Sequence, residues 1–250
     1  MDPKSPADAG LPAETVTLPT RGWRIDPGHA LLASAVCWAG FALVVVTVLG
    51  GRSAEFDAAG LRLFRTGIDL HPRGATWVSE AVRDYTALGG VLLRNMFAIG
   101  AIVALLFLRL RREATLLALT IVSGWAVNSA VKALVGRPRP EIVSHLTEAG
   151  GLSFPSGHSF NSAVVYIAVA LAFAALSPRR TVRATIVGTA MALTLLVALS
   201  RVWLGVHYPS DAIAGWLGGA GWAFLASALL YRPARAVADK ASDAIAAGTP

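Results

Sequence analysis

Three short polar clusters interrupt long apolar runs, and their residue types suit phosphoryl chemistry. The first is Lys132-Ala-Leu-Val-Gly-Arg-Pro-Arg139-Pro140. The second is the heptad Phe154-Pro155-Ser156-Gly157-His158-Ser159-Phe160, and the third runs from Ser200-Arg201 through His207 to Asp211. Lys132, Arg139 and Arg201 offer three cations, and an arginine fork matches a pair of phosphate oxygens. Pro155, Ser156 and Gly157 break the preceding segment, and Ser156 or Ser159 can cap a helix that follows. The start of such a helix presents unpaired N–H groups and the positive end of a dipole, a natural seat for phosphate. His158, placed there, can donate a proton to a leaving oxygen. His207, four residues before Asp211, can act as a nucleophile whose far ring nitrogen is held by the carboxylate.

Each piece also has an ordinary reading. Lys132, Arg137 and Arg139 taken singly are loop charges. His207 with Asp211 can be a helix-capping pair, and Ser200 a packing serine near a helix end. A zinc site built from His158, His207 and Asp211 would sit beside three cations, which repel a metal ion and attract an anion. No metal or other cofactor is therefore expected. The combination, in order and on one face, is what points to an anionic substrate.

The elements that must position these clusters are membrane spans. Of 250 residues, 55% are hydrophobic and only 15% charged, against about 25% charged in soluble domains. The mean hydropathy is +0.58. Apolar runs long enough to cross a bilayer, which takes about 20 residues, cover approximately His29–Leu49, Ala87–Leu108, Ala114–Val135, Ser159–Leu176, Ala184–Trp203 and Asp211–Leu230. The fold class predicted is an all-α integral membrane bundle of six transmembrane helices. It comprises a six-span domain over 28–231, a flexible N-terminal tail over 1–27 and a C-terminal tail over 232–250. The net charge of +7 is mostly arginine scattered between apolar runs; no basic face for nucleic acid results. A single cysteine, Cys37, excludes an intrachain disulfide framework.

Between the first two spans, residues 51–85 carry five arginines against five acids. Leu61, Phe64 and Ile68 recur at helical spacing, as do Trp77, Ala81 and Val82, which predicts short interfacial helices. A solvated connector describes this stretch better than a substrate-guiding lid. Arg94, inside the second span, is expected to snorkel outward or to pair within the bundle. Gly215, Gly218, Gly219 and Gly221 are spaced for close helix packing and not for a phosphate loop.

Short arginine-rich links follow the second span (Arg109-Leu110-Arg111-Arg112) and the fourth (Arg179, Arg180, Arg183), and the C-terminal tail is basic too. Such links stay in the cytoplasm, which puts both termini inside. The loops after the first, third and fifth spans then face the periplasm or cell exterior of a bacterium. The fourth span leaves that face and the fifth returns to it, so His158 and His207 share one depth, with Lys132 and Arg139 arriving from the third.

Together, Lys132-(six residues)-Arg139-Pro140, Pro155-Ser156-Gly157-His158 and Ser200-Arg201-(five residues)-His207-(three residues)-Asp211 resemble the signature of the type-2 phosphatidic acid phosphatase superfamily. That superfamily also holds vanadium haloperoxidases and bacterial acid phosphatases. The resemblance covers about Ala87 to Leu230. It implies metal-independent hydrolysis of a phosphomonoester or diphosphate through a phosphohistidine. It also implies His207 as nucleophile, Asp211 as its partner, His158 as general acid, and Lys132, Arg139, Ser156, Gly157 and Arg201 as phosphate-binding groups. Arg137 is outside the signature and its role is open. Six spans resemble the lipid phosphatase branch, with a lipid phosphate and the bilayer as partners; no oligomeric state is indicated. Undecaprenyl diphosphate is the first expectation, because carrier recycling is needed on the outer face. Phosphatidylglycerophosphate, phosphatidic acid and lipid A phosphates are the alternatives. A vanadate-dependent peroxidase acts on soluble substrates, which six spans argue against. From another class, a transporter or an inactive lipid-binding protein is the alternative, and intact His158, His207 and Asp211 argue against an inactive site.

Overall fold

The computed structural model of the chain describes residues 26–177 and 179–246. α1 (Pro27–Leu49) begins on Asp26, whose carboxylate accepts from the N–H groups of Gly28 and His29 at 2.7 and 3.4 Å. Pro27 sits at the first helical position, where a missing N–H costs nothing. Next come α2 (Ala54–Leu63), the strands β1 (Arg65–Thr66) and β2 (His71–Pro72), and α3 (Thr76–Ala87). The remaining helices are α4 (Val91–Phe107), α5 (Arg111–Val135), α6 (Gly157–Ala174), α7 (Arg180–Trp203) and α8 (Pro209–Ala246). β1 and β2 form one short antiparallel hairpin with Arg65 opposite Pro72; the sequence reading has no strand here, but the fold remains helical.

Helices α1, α5, α6, α7 and the stretch Pro209–Leu229 of α8 are each long and apolar enough to cross a membrane. The pair α3 and α4, bent by 43° at their break, passes the same test when taken together, which brings the count to six. The bend falls at Gly89-Gly90, and the carbonyls it frees find donors. Arg94 donates to the Gly89 carbonyl at 3.2 Å and the Tyr166 hydroxyl to the Leu88 carbonyl at 2.7 Å. Arg94 is buried, so it pairs inside the bundle and does not snorkel.

α6 is the centre of the bundle and is buried almost all round. Ala163, Ile167 and Leu171 pack with Leu105, Leu117 and Phe224 in the largest core cluster. The α8 glycines do what their spacing predicts. A Cβ on Gly215 would lie 2.7 Å from the Ser156 carbonyl oxygen and one on Gly218 2.7 Å from the Phe160 ring. Only glycine lets α8 approach the start of α6 this closely, and there Ser156 donates its N–H to the Asp211 carbonyl at 3.0 Å.

The connector departs from expectation. It is not a solvated link but a docked layer. Leu61 is buried against Val143, Ala198, Val202 and Ala212. Arg65 is buried as well and donates to the carbonyls of Trp203 (2.9 Å) and Ser144 (3.3 Å). Its charges look outward in a helical pattern only while their buried partners, far away in the chain, are ignored. At the other end α8 stays helical to Ala246, past the span predicted to close at Leu230. Residues 1–25 of the predicted flexible tail and the last four of the C-terminal tail lie outside the described residues.

Candidate active site

The three polar clusters meet at one end of the bundle, formed by the exit of α5, the start of α6 and the turn between α7 and α8. Gly136 ends α5 in a left-handed conformation at φ 64°, which suits a residue without Cβ. The loop that follows carries Arg139 to the turn. Arg139 donates to the carbonyls of Val206 (2.7 Å), Gly150 (2.8 Å) and Gly151 (3.1 Å), and its Nη1 stands 3.2 Å from His207 Nε2. Lys132 donates to the carbonyls of Leu152 (2.7 Å) and Pro155 (3.0 Å). Arg201 is buried and donates to the Thr86 hydroxyl at 3.1 Å, while its Nε has no protein partner among the described residues. Ser156 is the N-cap of α6, its hydroxyl accepting from Ser159 N–H at 3.4 Å, and Gly157 is the first helical residue. His158 follows on the first turn, and the guanidinium charges acting on it are those of Arg201, Arg94 and Arg139.

The tautomer of His207 follows from its neighbours. A guanidinium only donates, so Nε2 beside Arg139 must be the unprotonated nitrogen and Nδ1 carries the hydrogen. Nδ1 lies 3.3 Å from the Ser153 hydroxyl and 3.5 Å from Asp211 Oδ2. The expected His207–Asp211 pair is present, but it is long, and Ser153 bridges it by donating in turn to Asp211 Oδ2. His207 is 2% exposed. Burial pushes its imidazole down to about 4, against the pull of Asp211 and with Arg139 and Arg201 pushing the same way. At neutral pH it is an uncharged ring with its lone pair at Nε2, aimed at the cation cluster.

Asp211, 0% exposed, also accepts from the Tyr208 N–H at 3.0 Å on Oδ2, and from Arg137 Nη1 at 2.7 Å on Oδ1. Burial alone would lower Arg137; its bonds to Asp57 and Asp211 outweigh that and hold the guanidinium above its ordinary value. Arg139 is held below its ordinary value by burial, with Asp211 opposing.

All eight residues named from the sequence thus lie at this one end. Several of their partners were not named. Ser153 touches both His207 and Asp211. Thr86, from α3, holds Arg201 and also accepts from the Ser200 hydroxyl at 2.8 Å. Asn128, one turn before Lys132 on α5, is 4% exposed, and its Oδ1 has no protein partner among the described residues. Asp57 of α2 reaches Arg137 at 2.7 Å. Arg137 itself carried the one available signal, an extra arginine two residues before Arg139.

A cavity of about 410 Å³ opens between α4, α5 and α6. Ile99, Ile102, Ile121 and Trp125 line it, with Arg94, Asn95 and Asn161 as polar groups. Asn161 lies three residues after His158 on α6, so the cavity is one helical turn from the charged cluster.

The sequence profile of the PAP2 superfamily matches residues 112–235. A phosphatidylglycerophosphatase B from Bacillus subtilis is 33% identical over 147 residues, covering 56% of this chain and 68% of the relative. The chain belongs to the PAP2 superfamily. A lipid A 1-phosphatase from Rhizobium etli is 34% identical over 124 residues, 45% of this chain and 47% of its own length. A decaprenylphosphoryl-5-phosphoribose phosphatase from Mycobacterium tuberculosis is 34% identical over 93 residues, 36% of this chain and 46% of its own. The matches thus span about half the length of these two relatives. In fold, this PAP2 chain is similar to the crystal structure of a transmembrane PAP2-type phosphatidylglycerolphosphate phosphatase from Bacillus subtilis. The TM-score is 0.72 at 24% identity, over 80% of this chain and 96% of that one. The chain is a PAP2 phosphatase of the membrane, as the resemblance implies.

Proposed function

We propose that this PAP2 phosphatase hydrolyses a phosphomonoester on the polar head group of a membrane lipid, through a phosphohistidine at His207. One observation carries the mechanism: the lone pair of a buried, uncharged His207 Nε2 stands 3.2 Å from Arg139 in the cation cluster. A phosphoryl group drawn between Lys132, Arg139, Arg201 and the start of α6 meets that nitrogen. Nε2 attacks phosphorus, the bond to the leaving oxygen breaks, and His158 gives that oxygen its proton. Water then attacks phosphorus, giving a proton to His158 as base, and the N–P bond breaks, releasing inorganic phosphate and restoring the imidazole. Asp211 and Ser153 hold Nδ1–H and balance the positive ring. The cations and N–H groups act on charge spread over the phosphoryl oxygens, the main lever in phosphoryl transfer.

The cavity between α4, α5 and α6 suits an acyl or prenyl chain entering from the side, with its head group one turn away. The names of the three relatives share one chemistry, a phosphomonoester on the glycerol or sugar part of a lipid. Phosphatidylglycerophosphate therefore heads the candidates. Undecaprenyl diphosphate, the first expectation from the sequence, has no counterpart among these three. The arginine-rich links support an orientation with the site on the periplasmic or outer side of a bacterial inner membrane and both termini in the cytoplasm.

The test is a panel in detergent with a chelator present: phosphatidylglycerophosphate, phosphatidic acid, lipid A 1-phosphate and undecaprenyl diphosphate. Phosphate release should be fastest, by kcat/KM, from a monoester with a hydroxyl-bearing head. Highest kcat/KM on undecaprenyl diphosphate overturns the substrate reading, and loss of all turnover with chelator overturns the metal-free mechanism.

A further inference from the structure

Asp211 Oδ2 faces His207, whereas Oδ1 faces a second set of buried charges that the catalytic steps above do not use. Arg137 Nη1 donates to Asp211 Oδ1 at 2.7 Å and to the Ser210 hydroxyl at 2.8 Å. Its Nη2 donates to Asp57 Oδ2 at 2.7 Å. Ser210 closes the loop, donating its N–H to Asp57 Oδ1 at 2.9 Å and its hydroxyl to Asp57 Oδ2 at 2.8 Å. The guanidinium lies 4.0 Å over the Tyr208 ring. Asp57 is 1% exposed and Asp211 0% exposed. Two carboxylates, one from α2 and one from α8, are thus bridged by one arginine fork, in a row that ends on His207.

We infer that Arg137 and Asp57 are positioning residues for the phosphoryl transfer, holding the Asp211 carboxylate so that Oδ2 stays on Nδ1 of His207 and tying that geometry to α2. The inference rests on the reading of His207 as nucleophile. A carboxylate gripped on one oxygen by a fork that is itself anchored elsewhere cannot rotate, so its second oxygen is fixed for the ring. Charge enters too. Arg137 alone would neutralise Asp211 and weaken its hold on the positive ring formed when Nε2 bonds phosphorus. Asp57 shares the cation, leaving one net negative charge across the row to meet that positive ring. Lysine is a poor substitute, because an ammonium is a point charge and cannot span two carboxylates as a planar fork does. The competing view is that the row is only a buried tie that docks α2, which a buried ion pair can be.

The full chain in detergent separates the two. R137K should lower kcat about 10²-fold, the cost of misplacing a reacting group by roughly 1 Å, and D57N about tenfold. KM and competitive inhibition by inorganic phosphate should stay within about twofold of wild type, since the groups that hold phosphate are untouched. The double variant should match R137K alone, because the two residues act as one unit. The inference is overturned by wild-type kcat in both variants, by KM and phosphate inhibition worsening in step with kcat, or by additive losses in the double variant. If R137K does not fold, the kcat-against-KM split in the isosteric D57N decides alone. His207→Ala run alongside keeps the outcomes distinct: turnover surviving there overturns the nucleophile reading itself, whatever Arg137 does.

Discussion

A buried imidazole is a nucleophile only while it is unprotonated. His207 is pushed down to about 4, first by burial, with Asp211 pulling up and Arg139 and Arg201 pushing down. A depressed value means the neutral ring persists as pH falls, until about 4, below which a proton caps the lone pair. His207 should therefore add no acid limb to the profile of kcat/KM, which reports groups of the free enzyme, between pH 7 and about 5, and its own limb should fall only below that. An acid limb near the ordinary histidine value of about 6.5 that persists in His158→Ala and is distinct from the second ionisation of the substrate phosphate, at about 6, would mean that His207 is not the buried nucleophile. The residues that carry charge to phosphate were readable because they stand in short motifs at helix ends. Ser153 was not, although it bridges His207 and Asp211. A serine in a glycine-containing loop has no pattern of its own, and its role exists only once α8 brings Asp211 beside it.

At the scale of elements, spans announce themselves, because bilayer thickness sets the length of an apolar run. Breaks do not. α4 alone is only 17 residues long, and what makes it part of a span is the bent joint at Gly89-Gly90. There the backbone passes against His158: a Cβ on Gly89 would lie 3.3 Å from its Cδ2 and 3.4 Å from its Cβ, on top of a closer clash with Val197. Gly89→Ala should then push the joint and His158 apart. If His158 is the general acid, the loss falls on substrates whose leaving oxygen needs a proton. Turnover of an alkyl phosphate should drop sharply in Gly89→Ala and by about 10²–10⁴-fold in His158→Ala. An activated aryl phosphate, whose phenolate leaves unaided, should be affected far less in both. Equal losses on the two substrates would remove His158 from the proton-transfer role. The docking of α2 was hidden for a similar reason. Asp57 sits one turn before Leu61 on the same face, so an acid lies on the buried side. It is tolerated there because Arg137 and Ser210 supply its bonds.

For the whole molecule, the spans were legible in the apolar runs and the candidate site in the motifs, but the coupling between them was not. Asp57 and Arg65 come from a stretch whose balanced charges read as solvated, Thr86 directly follows it, and each is buried by a partner more than seventy residues away. That burial bears on orientation. Residues 51–85 carry five arginines on the same side as the site, which would oppose a cytoplasmic assignment for the other side if all were free. Arg65 is buried against carbonyls, and five acids accompany the rest. The opposite end concentrates Arg109, Arg111, Arg112, Arg179, Arg180 and Arg183 in two short links without an acid among them, the arrangement that holds loops in the cytoplasm. Single cysteines test this in a Cys37→Ser background. Glu148, in the loop between α5 and α6, and Arg111, at the start of α5, are both exposed. A membrane-impermeant maleimide added to intact cells should label Glu148→Cys, and should label Arg111→Cys only after the inner membrane is opened. The reverse pattern would turn the site to the cytoplasm, and a lipid phosphate of the inner leaflet would become its substrate.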